Sequence, residues 1–400
     1  MRKTLFVLTF FSTVGFLNPM QMFSEQALKL MFYLCIALSA VEVILNGRRI
    51  NDISYPRKCY WLMLAIIAMS TVPASMFHDQ SIKVSFMAML SYLLSYMYFW
   101  ILMKGGLSER FIMKWIMVGC VIAIPIYFIN VLSFPNVIFG QELQGEDLSR
   151  GILRVPVMFL EFFVLVFFYS INRILLGKGK RNKWMVVIAV CVMMIFLSVV
   201  RQIILYSVVL GVLFMLKHVS WFKKIMSAAL IALSIVYLLP MIPAYNTMLE
   251  LSQSQIEENA DKENVRIGAW RYYTFENQTN SITPFLGNGV PSFGNSIWGS
   301  LFAEEVEDNN YLFADVSWAG FIYLFGWIGF GALLFIVLCA IFKRKPPHHE
   351  YLTYWFVFIL LSGIGSGVFV YYFSITYIMI GLYLVFGTDE KDCGYNLELQ

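Results

Sequence analysis

The chain has 400 residues, of which 59% are hydrophobic and 14% are charged, and its mean hydropathy is +0.70. Because soluble domains carry about one quarter charged residues, this composition excludes an ordinary soluble domain. The formal net charge of +4 and the lack of a phosphate-binding loop or nucleotide fingerprint give no indication of a nucleic-acid partner or a nucleotide substrate.

Apolar runs recur along the whole sequence, and about 20 such residues are needed for a helix to cross a bilayer. We therefore predict an all-α polytopic membrane protein whose single integral domain covers residues 1–400. About twelve spans are expected. They cover residues 4–22, 27–45, 59–77, 82–103, 111–132, 152–172, 184–200, 202–217, 222–240, 316–342, 351–366 and 369–387.

The connections between these runs alternate in charge. Connections such as "NGRRINDISYPRK" and "KRKPPHH" are basic, whereas residues 241–310 contain ten acidic and three basic side chains. The positive-inside rule then places the basic connections and both termini in the cytoplasm. It also predicts one long outer loop at residues 241–315, which begins with a helix and continues through turns rich in glycine and proline.

The histidines and cysteines form no pattern that suggests a metal site, so no metal or cofactor is predicted. His348 and His349 are expected to be solvated residues of a cytoplasmic connection. The cysteines are expected to be small apolar side chains or free thiols.

Charged residues next to or inside the apolar runs are candidates for function, because a charge in a membrane is costly unless it is used or paired. Arg201 lies between two apolar runs, and snorkelling to lipid headgroups is the alternative role. Arg150 and Arg154 precede the sixth span, and helical spacing places Glu161 on their face. A purely structural Arg154–Glu161 pair is the alternative there.

Two arginines lie in the long acidic loop, in "NVRIGAWRYYTF". If this stretch is helical, Arg266, Trp270 and Tyr273 share a face, and Arg271 points about 140° away from Arg266. Pairing of both arginines with glutamates of the same loop is the alternative.

Asp308 and Asp315 flank the entry to the tenth span. Each is a candidate helix cap or dipole partner, and in a pocket with arginines either could act as a general base. Arginine forks suit phosphate oxygens. The predicted outer face collects Arg150, Arg154, Arg201, Arg266 and Arg271.

Three sequence segments resemble the O-antigen polymerase (Wzy) and O-antigen ligase superfamily of bacterial inner membranes. They are "LSVVR" at 197–201, "VRIGAW" followed by "PFLGNGVPSFG", and "DNNYLFADVSWAGFIYLFGWIG". The resemblance implies a fold of the membrane glycosyltransferase C type, with no metal and no cofactor. It also implies a donor oligosaccharide linked to undecaprenyl diphosphate, with a chain-length regulator as a candidate partner.

Ligases of this superfamily usually carry a histidine just before the Asn-x-Tyr-Leu element, where this chain has Asp308. The departure favours a repeat-unit polymerase for O-antigen, capsule or exopolysaccharide. An O-antigen ligase, a protein O-oligosaccharyltransferase and a flippase for lipid-linked oligosaccharides are the alternatives.

The resemblance and the residues together suggest roles for individual side chains. The catalytic base is expected to be Asp315 or Asp308, with Glu161 or no base at all as alternatives. The glycan is expected to contact Trp270, Tyr273, Glu161 and Arg150. The diphosphate is expected to bind Arg201, Arg266, Arg271 and Arg154.

Overall fold

The computed structural model describes residues 1–13, 22–47, 55–134, 136, 138–139, 155–177, 180–217, 264–278 and 280–387. Within these ranges the regular elements are helices and no strand is present, which confirms the predicted all-α class. The predicted span 222–240, residues 241–263 of the predicted outer loop, Arg150 and Arg154 lie outside the described residues.

The α-helices are numbered here in chain order. They are α1 (Arg2–Ser12), α2 (Glu25–Asn46), α3 (Arg57–Met69), α4 (Thr71–His78), α5 (Ile82–Gly105), α6 (Glu109–Leu132), α7 (Leu160–Leu175), α8 (Arg181–Leu197), α9 (Arg201–Lys217), α10 (Val265–Arg271), α11 (Thr283–Leu286), α12 (Ile297–Asn309), α13 (Ser317–Phe342), α14 (Glu350–Ser362) and α15 (Tyr372–Phe386).

Five helical stretches in the described part of the chain are long and apolar enough to cross a membrane. They are Gln26–Asn46, Arg57–His78, Ile82–Gly105, Glu109–Leu132 and Ser317–Phe342. These five helices are consistent with a helical membrane protein. The total of twelve spans stays a prediction.

The third span is divided at Ser70 into α3 and α4. Pro73 lies in the first turn of α4 and has no backbone N–H to bond the preceding turn, which accounts for the division.

The core of the helical bundle is formed by helices that are buried over most of their length. Every residue of α15 from Ser374 to Phe386 is buried, and most of α7 is buried as well. A helix without a polar face has to be enclosed by other helices or by lipid. Helix α15 accordingly packs against α5, and α7 packs against α8 and α14.

One end of the bundle, which we call the basic end, brings together the termini of helices that are distant in sequence. Lys343 Nζ donates to Val385 O, and Asn172 Nδ2 donates to His348 O. Ion pairs at this end join Arg2 to Glu42, Lys217 to Glu350 and His349 to Glu109.

The opposite end carries the described part of the predicted outer loop, residues 264–278 and 280–315, which we call the loop element. It contains α10, a π-helical segment (Tyr272–Glu276), α11, α12 and a 3₁₀ turn (Phe313–Asp315). Asn264 is not helical, so the helix predicted at the start of the outer loop does not continue through this residue. The Asn264 side chain instead accepts a hydrogen bond from Arg266 N and caps the start of α10.

Candidate functional site

The loop element enters the bundle at a break in α13. Gly326 has φ 68° and ψ 175°, so the helix is interrupted and the carbonyls of the preceding turn lose their helical partners. Asn288 N donates to Tyr323 O (2.8 Å), and Gly289 N donates to Leu324 O (3.1 Å). The loop element thus replaces the missing helical hydrogen bonds, as irregular backbone at membrane depth requires.

Two glycines allow this close approach of backbone to backbone. Gly287 and Gly289 have φ values of 84° and 87°. A Cβ at Gly287 would lie 2.2 Å from Leu324 O, and one at Gly289 would lie 2.4 Å from Ser70 O. The Gly-x-Gly of the sequence is therefore required by packing at this point.

Gln80, between α4 and α5, holds the next part of the loop element. Its Nε2 donates to Val290 O (3.0 Å), and its Oε1 accepts from Ser292 N (2.9 Å) and Ser296 Oγ (2.8 Å). Because Gln80 is buried and both ends of its amide are used, it fixes the loop element to the ends of two candidate spans.

A second contact places α10 over the turn that follows α14. Trp270 Nε1 donates to Ile364 O (3.1 Å). The start of α13 meets the same turn, since Trp318 N donates to Gly363 O (3.0 Å) and Ser317 N donates to Ser366 O (3.3 Å). We call residues 361–366, which are the last two residues of α14 and the turn after it, the 361–366 turn.

The predicted spans 184–200 and 202–217 are separate helices, and the short turn between them places Arg201 at the start of the second one. Helix α8 ends at Leu197 and α9 begins at Arg201, with Val199 in the left-handed region at φ 54°. The next residue, Gln202, places its Nε2 3.5 Å from Leu361 O, and a Cβ at Gly365 would lie 2.4 Å from Gln202 Oε1.

Arg201 and Arg266 therefore belong to two elements that reach the 361–366 turn independently. Arg201 is exposed at the first residue of α9, beside Gln202. Arg266 lies one turn before Trp270 on α10. Both elements therefore contact this turn through the neighbours of Arg201 and Arg266, namely Gln202 and Trp270.

Arg266 also faces one of the two predicted bases. Its Nη2 lies 3.8 Å from Asp315 Oδ1, and the two side chains are 57% and 42% exposed. A pair this long and this exposed is weak, so an anionic or hydroxyl group of a substrate can compete for either partner.

No contact of the other residues predicted in the loop with this pair is seen among the described residues. Arg271 Nε pairs with Glu276 Oε1 at 2.6 Å, within the loop element. Asp308 is exposed near the end of α12. Tyr273 is fully buried, and its hydroxyl donates to Tyr311 O.

The predicted common face of Arg266, Trp270 and Tyr273 is wrong. The helix changes from α to π at Tyr272, which alters the spacing, and Tyr273 turns into the aromatic core. Burial raises the pKa of the Tyr273 hydroxyl, so the neutral hydrogen-bonded form is favoured.

The predicted shared helical face of Arg154 and Glu161 depended on a span that begins at residue 152, and Arg154 itself lies outside the described residues. Residues 155–159, which include Pro156, are not helical, and α7 begins only at Leu160. Glu161 instead accepts a hydrogen bond from Ser374 Oγ at 2.8 Å, inside the bundle.

Gln80 and Gln202 are the residues of this region that sequence analysis missed. Gln80 lies in a short connection between apolar runs, in "FHDQS", and Gln202 directly follows one, in "VVRQI". An amide in or next to a short connection must find hydrogen-bond partners for both its donor and its acceptor. This requirement is the signal that could have identified Gln80 and Gln202.

At the basic end, Glu109, His348 and His349 could hold a divalent cation, since one ligand atom of each lies within 4.8 Å of the others. Glu109 Oε2 and His349 Nε2 are already 2.7 Å apart, and Tyr351 donates to Glu109 Oε1. The prediction that His349 is solvated is wrong, because this pair buries it between α6 and α14.

No protein-family model matches the chain, and no curated protein has a matching sequence. A functional assignment therefore has to rest on the residues at the 361–366 turn and on the resemblance of short motifs.

Proposed function

We propose that this protein is a membrane glycosyltransferase that polymerises polysaccharide repeat units carried on undecaprenyl diphosphate, in the manner of Wzy proteins. The observation that supports it most is the approach of α9 and α10 to one turn, with Arg201 and Arg266 beside their contacts to it. Arginines at such a position suit a diphosphate, because the guanidinium donates paired hydrogen bonds to phosphate oxygens.

In the proposed reaction, the acceptor sugar hydroxyl attacks the anomeric carbon of the donor. The bond from that carbon to the diphosphate oxygen breaks, and undecaprenyl diphosphate departs with the bonding electron pair. Arg201 and Arg266 stabilise the negative charge that develops on this leaving group. Attack opposite the leaving group inverts the anomeric configuration.

The proposed base is Asp315, which takes the proton of the attacking hydroxyl. Its position next to Arg266 supports this assignment over Asp308, since base and diphosphate ligand have to act on the same substrate. Partial exposure of the carboxylate leaves room for an acceptor sugar. Trp270, which is half-buried one turn after Arg266, is the proposed aromatic contact for a sugar ring.

The proposed orientation follows from the two ends of the bundle. Lysines and arginines cluster at the basic end, which favours the cytoplasmic side of a bacterial inner membrane. With about twelve spans, both termini are then cytoplasmic and the loop element faces the periplasm. A donor lipid in the outer leaflet would place its diphosphate at the level of the 361–366 turn.

A gene deletion complemented by variants tests this function. Deletion in the native host should abolish long polymer and leave single repeat units on their normal acceptor. Wild-type protein should restore long polymer, whereas Arg201→Ala and Arg266→Ala should not. Arg57→Ala, an exposed arginine at the basic end, is the matched control and should restore it.

The lipid-linked intermediates separate this proposal from its alternatives. A polymerase leaves single lipid-linked units facing the periplasm after deletion. Units confined to the cytoplasmic face would instead identify a flippase. Long polymer accumulating on undecaprenyl diphosphate would identify a ligase. Either of the last two results overturns the proposed polymerase.

A further inference from the structure

The first half of α12 presents bulky apolar side chains to the outside of the protein. Ile297 and Leu301 are one turn apart on the same face, and they are 83% and 60% exposed. Moving side chains of this kind out of water into an apolar environment is favourable. Two such residues on one face, with exposed Phe293 just before them, mark a contact surface.

The start of α12 is fixed at the ends of two candidate membrane spans. Its N-cap residue, Ser296, donates to Gln80 Oε1 (2.8 Å), and Gln80 lies between the span ending at His78 and the span beginning at Ile82. The Trp298 ring stacks on the His78 ring with centroids 3.9 Å apart. The apolar face of α12 therefore starts at the level where these spans end.

The ends of those spans also expose apolar side chains. Met76 near the end of α4 and Ile82 at the start of α5 are both exposed large hydrophobic residues. In a membrane-spanning helix such residues are covered by lipid. The same lipid would cover Ile297 and Leu301, because they lie beside the contacts of Ser296 and Trp298.

The two halves of α12 differ in charge. The second half carries the exposed acidic residues Glu304, Glu307 and Asp308. Carboxylates are unfavourable in lipid and are repelled by anionic headgroups. Along the face of Ile297 and Leu301, the surface thus changes from apolar to acidic within two turns.

We propose that residues Ile297–Leu301 of α12 lie in the boundary between lipid headgroups and acyl chains, and that the acidic half of α12 rises into water. This is the arrangement of an interfacial anchor helix. The chain continues from α12 through Asn310 into the 3₁₀ turn that carries Asp315. The anchor would therefore hold Asp315 at a fixed height above the bilayer.

Nitroxide labels on α12 test the inference independently of the proposed chemistry. The full chain, with its six cysteines replaced by alanine, is labelled at Leu301→Cys, Glu304→Cys or Asp308→Cys and placed in nanodiscs of phosphatidylethanolamine and phosphatidylglycerol. Power saturation then measures access to oxygen, which concentrates in lipid, and to a water-soluble nickel chelate.

We expect the ratio of oxygen to nickel access to be several-fold higher at 301 than at 308, with an intermediate ratio at 304. Equal, high nickel access at 301 and 308 would overturn the inference, because α12 would then be in water. An immobilised label at 301 that neither reagent reaches would also overturn it, since a second protein surface would cover the helix.

A photo-crosslinking amino acid provides a second measurement in the chain with its natural cysteines. Benzoylphenylalanine at position 301 should crosslink to lipid, and the same group at position 308 should not. Crosslinking to protein at 301, or equal lipid crosslinking at both positions, would contradict the anchor. Loss of polymerase activity has no bearing on either readout, so the two proposals fail separately.

Discussion

The two ends of the bundle use charge in different ways. At the basic end, Glu109 and His349 are 2.7 Å apart, largely enclosed, and joined by a third group, the Tyr351 hydroxyl. At the loop end, Arg266 and Asp315 are 3.8 Å apart and about half exposed. The first pair closes a contact between α6 and α14. The second leaves both groups accessible to a substrate.

This difference separates charges that hold helices together from charges that are available for chemistry. Enclosed pairs satisfy each other, and removing one partner leaves the other buried without compensation. Exposed, loosely paired charges contribute little to stability. Removing a charge from the enclosed pair at the basic end should therefore lower stability. Removing Arg201, Arg266 or Asp315 should lower activity in a protein that still folds.

The largest effect is expected at the proposed base. Asp315→Asn should lower the rate of glycan transfer by about 10²–10⁴-fold, because the amide cannot accept the proton of the attacking hydroxyl. The rate is measured with purified protein and lipid-linked repeat units. Asp308→Asn is the matched control at the end of α12. An equal loss in both variants would remove the distinction between the two aspartates.

The glycine turn should be sensitive to added volume. Gly289→Ala requires both a positive φ and a Cβ 2.4 Å from Ser70 O, so it should lower the thermal midpoint clearly. Gly294→Ala is the matched control, because its φ is 73° and nothing lies within 4 Å of the added Cβ. Backbone strain alone costs about 1–3 kcal/mol. Equal loss of stability in both variants would contradict close packing at Gly289.

At the basic end, Glu109→Gln should destabilise the protein without altering the chemistry. The neutral amide weakens the contact with buried His349, and an imperfectly satisfied buried polar group costs about 1–3 kcal/mol. Thermal unfolding in detergent measures the loss, and transfer activity per folded molecule should stay unchanged. A large drop in that specific activity, with stability intact, would contradict the structural role.

The smallest effect is expected at Arg271. Its partner Glu276 is about half exposed, as Arg271 itself is, and exposed ion pairs typically contribute about 0.2–1 kcal/mol. Arg271→Ala should therefore leave both stability and polymer length close to normal. If it instead abolished polymer as Arg266→Ala is expected to do, the diphosphate site would have to extend along α10.

The sequence predicted the helices well where a single apolar run makes a single helix. The runs at 82–103 and 111–132 correspond to α5 (Ile82–Gly105) and α6 (Glu109–Leu132). The break in α13 at Gly326 escaped prediction, because residues 316–342 are almost uniformly apolar. Its hydrogen-bond partners, Asn288 and Gly289, lie in a different segment of the chain, and periodicity does not report on such contacts.

The candidate site was predicted as a set of residue types and not as an arrangement. Arg266 and Asp315 were both identified, although they are far apart in sequence and only the fold places them together. Local spacing failed at Tyr273, where the helix becomes π, and before Glu161, where α7 has not yet begun. In both cases the assumption of a continuous α-helix produced the error.

Binding of the lipid carrier tests the central claim most directly. Undecaprenyl diphosphate is titrated into purified protein in nanodiscs, and affinity is compared among wild type, the Arg201→Ala/Arg266→Ala double variant and Arg57→Ala. Loss of two charged hydrogen-bond donors, each worth about 1.5–3 kcal/mol, predicts at least a hundredfold weaker binding for the double variant. Arg57→Ala should bind as wild type does. Equal affinity in all three proteins would contradict a diphosphate site at the 361–366 turn.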